Sequence, residues 1–333
     1  MYTKTLLHFF TASMTAFAVA FPATEPRQLT KRDSKCTTVA VRKEWRNLTS
    51  SEQTSYLESQ KCLFGLPAQL DLLGSTNRWE DLVSLHQNQT DVIHNDGQFL
   101  PWHRYFLHVH ENVTRNECGY TGPMPWWDER LDAGNFTNAP LFTPELFGSA
   151  LTNVSGLGVG FSPDTTGLCV TDGYFANTTL HLGPGSRADN TVHCLNRNVD
   201  EESSLHSNVT SVDDCNAYDN YEDMWECVFP LGPHGGGHFG VNGDMSNAAS
   251  SPNDPVFFLH HGFVDRNWWA WQNVNLSVRQ YELGGYNSQT EPATGWVNTT
   301  LDTQISSWGV LPDAVVGDVM DTEGDYLCWT YDY

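Results

Sequence analysis

Basic residues are scarce in this 333-residue chain. Lys and Arg number 17 against 40 Asp and Glu, for a formal net charge of −23. A surface of that sign repels phosphate, so nucleic acid and anionic membranes are poor partners. Charged residues are only 17 % of the chain while aromatics reach 12 %, the opposite of a disordered composition. Internal repeats and low-complexity tracts are lacking. Several motifs are also missing. There is no Cys-x-x-Cys. There is no His-Glu-x-x-His for a zinc protease and no Glu-x-x-His for a di-iron bundle. The glycines after His234 resemble an esterase oxyanion loop, but the Gly-x-Ser-x-Gly that such an enzyme needs is absent.

The length allows one large domain or two ordinary ones. The apolar run over residues 6–20 follows Lys4 and ends in Ala18-Val19-Ala20. It is too short to span a bilayer and reads as a signal peptide over residues 1–20. Residues 21–32 close on Lys31-Arg32 and read as a propeptide, leaving residues 33–333 as the folded domain of a secreted protein. Cys36, Cys62, Cys118, Cys169, Cys194, Cys215, Cys227 and Cys328 are then expected to form up to four disulfides, in a pairing the sequence does not fix. N-glycans are expected among nine sequons, at Asn47, Asn88, Asn112, Asn135, Asn153, Asn177, Asn208, Asn275 and Asn298.

Helical signals cluster in four places. Thr49-x-x-Glu52 is a capping box. Asn77-x-x-Glu80 caps a segment whose apolar face is Trp79, Leu82, Val83 and His86. Pro101 suits a first turn, and Asp254-Pro255 opens the run through Trp271. Residues 132–220 have loop composition. The expectation is a mainly α fold, a few buried helices wrapped in long loops with few short strands.

The chemistry lies in the histidines. Nine of the thirteen fall in two windows: His86, His94, His103, His108 and His110, then His234, His238, His260 and His261. Imidazole suits copper, zinc, iron and nickel, and three imidazoles leave a coordination position open. His86 shares the apolar face of its helix. His234 and His238 share a face if Gly235–Gly237 are helical. His260 is turned by roughly 100° from His261, so the two do not easily share a metal. Asp265, four residues after His261, is placed to orient that imidazole, and His110, seven after His103, is a similar candidate. A site of imidazoles without carboxylates fits a redox metal handling oxygen better than a hydrolytic one.

The stretch His94-Asn-Asp-Gly-Gln-Phe99-Leu-Pro-Trp-His103-Arg104-x-x-Leu107-x-x-x-Glu111 resembles the CuA signature of tyrosinases and catechol oxidases. Asn253-Asp254-Pro255-Val-Phe257-Phe258-Leu-His260-His261-x-x-x-Asp265-Arg266 resembles their CuB signature. The resemblance runs from about Arg42 to the C-terminus, where Tyr331-x-Tyr333 is similar to the family's closing tyrosine motif, with Arg42 or Arg46 as its partner. It is nearest to the short secreted fungal polyphenol oxidases. It implies a central four-helix bundle holding two copper ions, with CuA on His86, His94 and His103 and CuB on His234, His238 and His261. The implied reaction uses O2 to oxidise a small phenol to an o-quinone. Val92 stands where many tyrosinases have a thioether-forming Cys, and no lid domain follows Tyr333.

Four further positions bear on substrate choice. Gly235 follows the first CuB histidine, where strong monophenolases often carry an Asn that holds a water with a nearby Glu; Glu222 and Glu226 are the nearest candidates for that Glu. Ala248, thirteen residues before His261, stands where some catechol oxidases place a bulky Phe. Phe239 and Phe257 are candidates to pack around an aromatic substrate. These readings favour o-diphenols, and with them methoxy-substituted phenols, over tyrosine. The alternatives are a full tyrosinase and, more remotely, a haemocyanin-like oxygen carrier, which would carry a shielding domain.

Overall fold

The computed structural model describes residues 36–151, 167–185 and 189–333. The signal and propeptide segments and Asn153 lie outside the described residues.

Each sequence cap starts a helix. Helix α1 (Ser50–Gly65) opens on Thr49, whose hydroxyl accepts from Glu52 N at 3.3 Å while Glu52 accepts from Thr49 N at 2.7 Å. Helix α2 (Arg78–Gln89) opens on Asn77, which accepts from Glu80 N at 3.0 Å. Its expected face, Trp79, Leu82, Val83 and His86, is fully buried. Helix α3 (Phe99–Cys118) stops at Gly119, which adopts the left-handed φ of 67° that closes a helix with least strain. The loop-rich stretch after it carries 3-10 turns, two-residue strands and the short helices α4 (Glu201–Ser204) and α5 (Val209–Asn216). Then come α6 (Tyr221–Val228), α7 (Pro233–Val241), α8 (Val256–Val274) and α9 (Leu276–Arg279). Asp254 caps α8 by accepting from Val256 N at 3.0 Å.

Helices α2, α3, α7 and α8 form the central four-helix bundle. Trp79 of α2 and Phe106 of α3 both meet Phe258 of α8, with ring centroids 5.5 and 5.3 Å apart. Trp126, Trp127, Trp268 and Trp271 are buried in the core and Trp269 packs partly buried against it. Outside the bundle, the strand Ala40–Glu44 runs parallel to Pro125–Trp126 on one edge and to Trp329–Tyr331 on the other, so both ends of the described chain meet.

The tyrosine motif divides its contacts. Arg42 stands opposite Tyr331 in the strand register. Its guanidinium, however, bonds Glu111 at 2.7 Å and lies over Trp329, while Arg46 bonds Glu44 and Asp132. The Tyr331 hydroxyl instead donates to Asp265.

The eight cysteines form four disulfides: Cys36–Cys328, Cys62–Cys118, Cys169–Cys194 and Cys215–Cys227. Among the described residues, no helix is long and apolar enough to cross a membrane.

Candidate metal centre

The six expected histidines converge. His86 on α2, His94 on the loop after it and His103 on α3 offer nitrogens within 4.8 Å of one another. Each of the three turns its Nδ1 toward a carbonyl: Ala249 at 2.8 Å, Thr90 at 3.1 Å and Phe99 at 2.8 Å. A carbonyl only accepts, so Nδ1 carries the proton and the lone pair is left on Nε2. The Nε2 atoms of His86 and His103 lie 3.4 Å apart. That approach brings two lone pairs together, which a cation between them would relieve.

The second group is His234 and His238 on α7 with His261 on α8. His238 Nδ1 donates to Met245 O at 2.7 Å, and its Nε2 lies 3.3 Å from His261 Nε2. Both nitrogens of His234 and Nδ1 of His261 are buried with no protein partner. Leaving a buried polar atom unpaired costs about 1–3 kcal/mol, so such a cluster calls for a bound ion. The two groups adjoin, with the His103 and His261 rings stacked at 4.4 Å.

Burial keeps these imidazoles neutral, the form that binds metal. It pushes His94 down to about 4 and the other five well below the ordinary histidine range. Neutral imidazoles without a carboxylate suit copper, so the residues present fit a dicopper site.

The glycine run is helical because its neighbours demand closeness. A Cβ at Gly235 would run into the Pro230 carbonyl, and one at Gly237 would meet His260 and Glu129. His260 is the fourth imidazole of the second group. It turns Nδ1 onto Glu129 Oε1 at 2.6 Å, and Ser207 donates to the other Glu129 oxygen at 2.7 Å. Sequence spacing separated His260 from His261 but left its carboxylate partner unidentified. Glu129 lies between Asp128 and Arg130 in the sequence, and no local pattern singled it out.

A cavity of about 340 Å³ reaches the metal cluster at His94, His234 and His238. Phe229, Pro230, Met245 and Ala248 supply apolar wall. Thr90, Asp91, Asn95, Ser251 and Gln289 supply the polar part. Ala248 lines the cavity.

Other expectations are corrected. Asp265 does not orient His261; it accepts from Arg104 Nε at 2.5 Å and from Tyr331, because the buried guanidinium outcompetes a neutral ring for the carboxylate. His110 bonds Gln60 at 2.5 Å and stacks on Phe258, away from His103, and His108 stacks on Tyr326. Phe257 is fully buried against the His261 ring at 4.2 Å, supporting the cluster from behind rather than lining the cavity. Phe239 is buried, with its ring edge facing Gly235, and does not line the cavity either. Glu222 and Glu226 are exposed on α6 and absent from the cavity wall.

Residues 76–274 match the family model described as the common central domain of tyrosinase. The chain is 33 % identical over 340 residues to the N-acetyl-6-hydroxytryptophan oxidase of Emericella nidulans, covering 88 % of this chain and 92 % of that protein. It is 34 % identical over 306 residues to a tyrosinase of Aspergillus flavus, covering 89 % and 80 %. A solved polyphenol oxidase variant from Thermothelomyces thermophila superposes with a TM-score of 0.80 at 28 % identity, covering 89 % of each chain. A functional unit of octopus haemocyanin shares the fold alone, at 17 % identity and a TM-score of 0.52 over 88 % of this chain and 68 % of that one. With two adjoining clusters of neutral imidazoles at the floor of a cavity, the chain belongs to the tyrosinase family and carries its type-3 dicopper centre.

Proposed function

We propose that His86, His94 and His103 hold one copper ion and that His234, His238 and His261 hold the other. The protein then uses O2 to oxidise o-diphenols to o-quinones, with little or no hydroxylation of tyrosine. The single observation that carries the diphenol reading is the wall of the cavity. Pro230 stands against Gly235 and excludes the side chain that would hold a water there. The one carboxylate on the wall is Asp91, and Glu222 and Glu226 face solvent. The paired Asn and Glu that hold a water for a monophenol are therefore not in place among the described residues, whereas a diphenol needs only to be held and oxidised.

Bound copper would accept electrons from the diphenol and pass them to O2; two diphenols and one O2 give two quinones and two waters. The chain's own part is geometric. Three backbone carbonyls fix the rings of His86, His94 and His103. Phe229 and Pro230 offer an apolar face to the substrate ring, and Ala248 leaves room for a substituent. The four disulfides suit export to an oxidising compartment, with residues 1–20 as signal and 21–32 as propeptide.

The relative named a tyrosinase favours a second reading, with monophenolase activity through another base. Oxygen uptake by purified, copper-loaded protein decides between them. Rapid uptake with catechol but not tyrosine supports the diphenol reading. Uptake with tyrosine, even after a lag, overturns it.

A further inference from the structure

Among the residues lining the cavity there is no Lys or Arg, and Asp91 is the one acid. Asp91 is solvent-exposed and belongs to the 3-10 turn Thr90–Val92, immediately before the loop that carries His94. Its carboxylate has no cationic partner among the described residues. The backbone of the turn is held in place by Gln289, which lines the same cavity. Gln289 donates through Nε2 to Thr90 O at 3.2 Å and through its backbone N to Asp91 O at 3.5 Å. Thr90 ties the turn back to α2 through His86 O at 3.0 Å. The one acid among the lining residues therefore sits on a turn whose backbone is held by Gln289 and α2.

We propose that Asp91 determines which substituted diphenols enter: those whose side chain carries a protonated amine are preferred over those carrying a carboxylate. This inference rests on the diphenol-oxidase reading above. A ring seated on Phe229 and Pro230 near His94 and His234 directs its substituent outward, along the wall that Asp91 shares. A cation there meets an opposite charge, and a carboxylate meets a like charge with no Arg to offset it.

Three catechols of similar size test the idea at neutral pH: dopamine, 4-(2-hydroxyethyl)catechol and 3,4-dihydroxyphenylacetate. KM is expected to rise in that order, about ten-fold from cation to anion at low salt, with kcat much less affected. In Asp91→Asn the spread should fall to two-fold or less, and in Asp91→Lys the order should invert. A spread unchanged in Asp91→Asn overturns the proposal and assigns the preference to the field of the whole acidic molecule, as does a wild-type preference for the anion. If no diphenol is oxidised at all, the diphenol reading has failed. Asp91 is then tested by calorimetric binding of phenethylamine against phenylacetate, with the same expected order and the same collapse in Asp91→Asn.

Discussion

Gly235 is held by contact rather than by backbone torsion. A Cβ there would overlap the carbonyl oxygen of Pro230, a backbone atom that cannot swing aside as a side chain can. Gly235→Ala is expected to lower stability by about 1–3 kcal/mol, with Gly235→Asn lower still, as overpacked sites do. A urea midpoint unchanged in Gly235→Ala would contradict the packing seen here. Glu129 makes a second residue-scale case. It is fully buried between His260 and Ser207, and burial raises its carboxyl well above the usual range. Glu129→Leu leaves His260 Nδ1 without a partner, while Ser207 Oγ keeps Pro233 O at 3.2 Å, at a cost of about 1–3 kcal/mol. Glu129→Gln keeps the shape and one acceptor, so its loss should be smaller by about 1 kcal/mol. His260 fixes the rotation of α8 on which His261 depends, so Glu129→Leu should also release copper faster to a chelator than Glu129→Gln. Equal midpoints and equal release in the two variants would show that Glu129 only fills space.

At the scale of elements, α2, α3 and α8 were legible because each began with a local signal, an Asn cap for α2, Pro101 in the first turn of α3 and Asp254 before α8, whereas the glycine run of α7 left its helix conditional. The resemblance to the copper signatures, with spacing, set His86, His94, His103, His234, His238 and His261 apart from His108, His110 and His260, and the structure brings the six together with His260 beside the second three. What spacing does not carry is the partner across a helix interface. Asp265 sits one turn from His261, yet its carboxylate turns to Arg104 on α3 and to Tyr331 on the last strand. Arg104 is itself fully buried over Trp268 and reaches Gln272, Val319 and Met320, so this cluster ties α3, α8 and the C-terminal segment together. Removing one member leaves a buried charge without its counterion. Asp265→Ala is expected to cost about 3–5 kcal/mol in chemical denaturation. A loss below 1 kcal/mol would show that the cluster is dispensable.

For the whole molecule, cavity walls were the least legible part. Asp91, Phe229 and Gln289 meet only through the tertiary fold, and no local period links them. The same long-range packing that builds the cavity buries the histidines, and this has a consequence for the metal-free protein. Nine imidazoles are held below their ordinary pKa, chiefly by burial: those of His86, His94, His103, His108, His110, His234, His238, His260 and His261. His94 and His108 lie at about 4 and His260 at about 3. Unfolding returns them to about 6.5, so between pH 6.5 and 4 the unfolded chain binds protons that the native one refuses. Buried acids work against this. Asp96, raised to about 8, and Glu44, Glu129 and Asp244, raised in the same direction, can release at most four protons on unfolding. Nine outweigh four, so stability of the copper-free protein should fall as pH drops from 6.5 toward 4. Unfolding at pH 5.5 should then take up several protons, read from the dependence of the calorimetric enthalpy on buffer ionisation heat. Zero uptake, or net release, would mean that the histidines are not held neutral in the native protein, and the packing account of the metal centre would fall with that result.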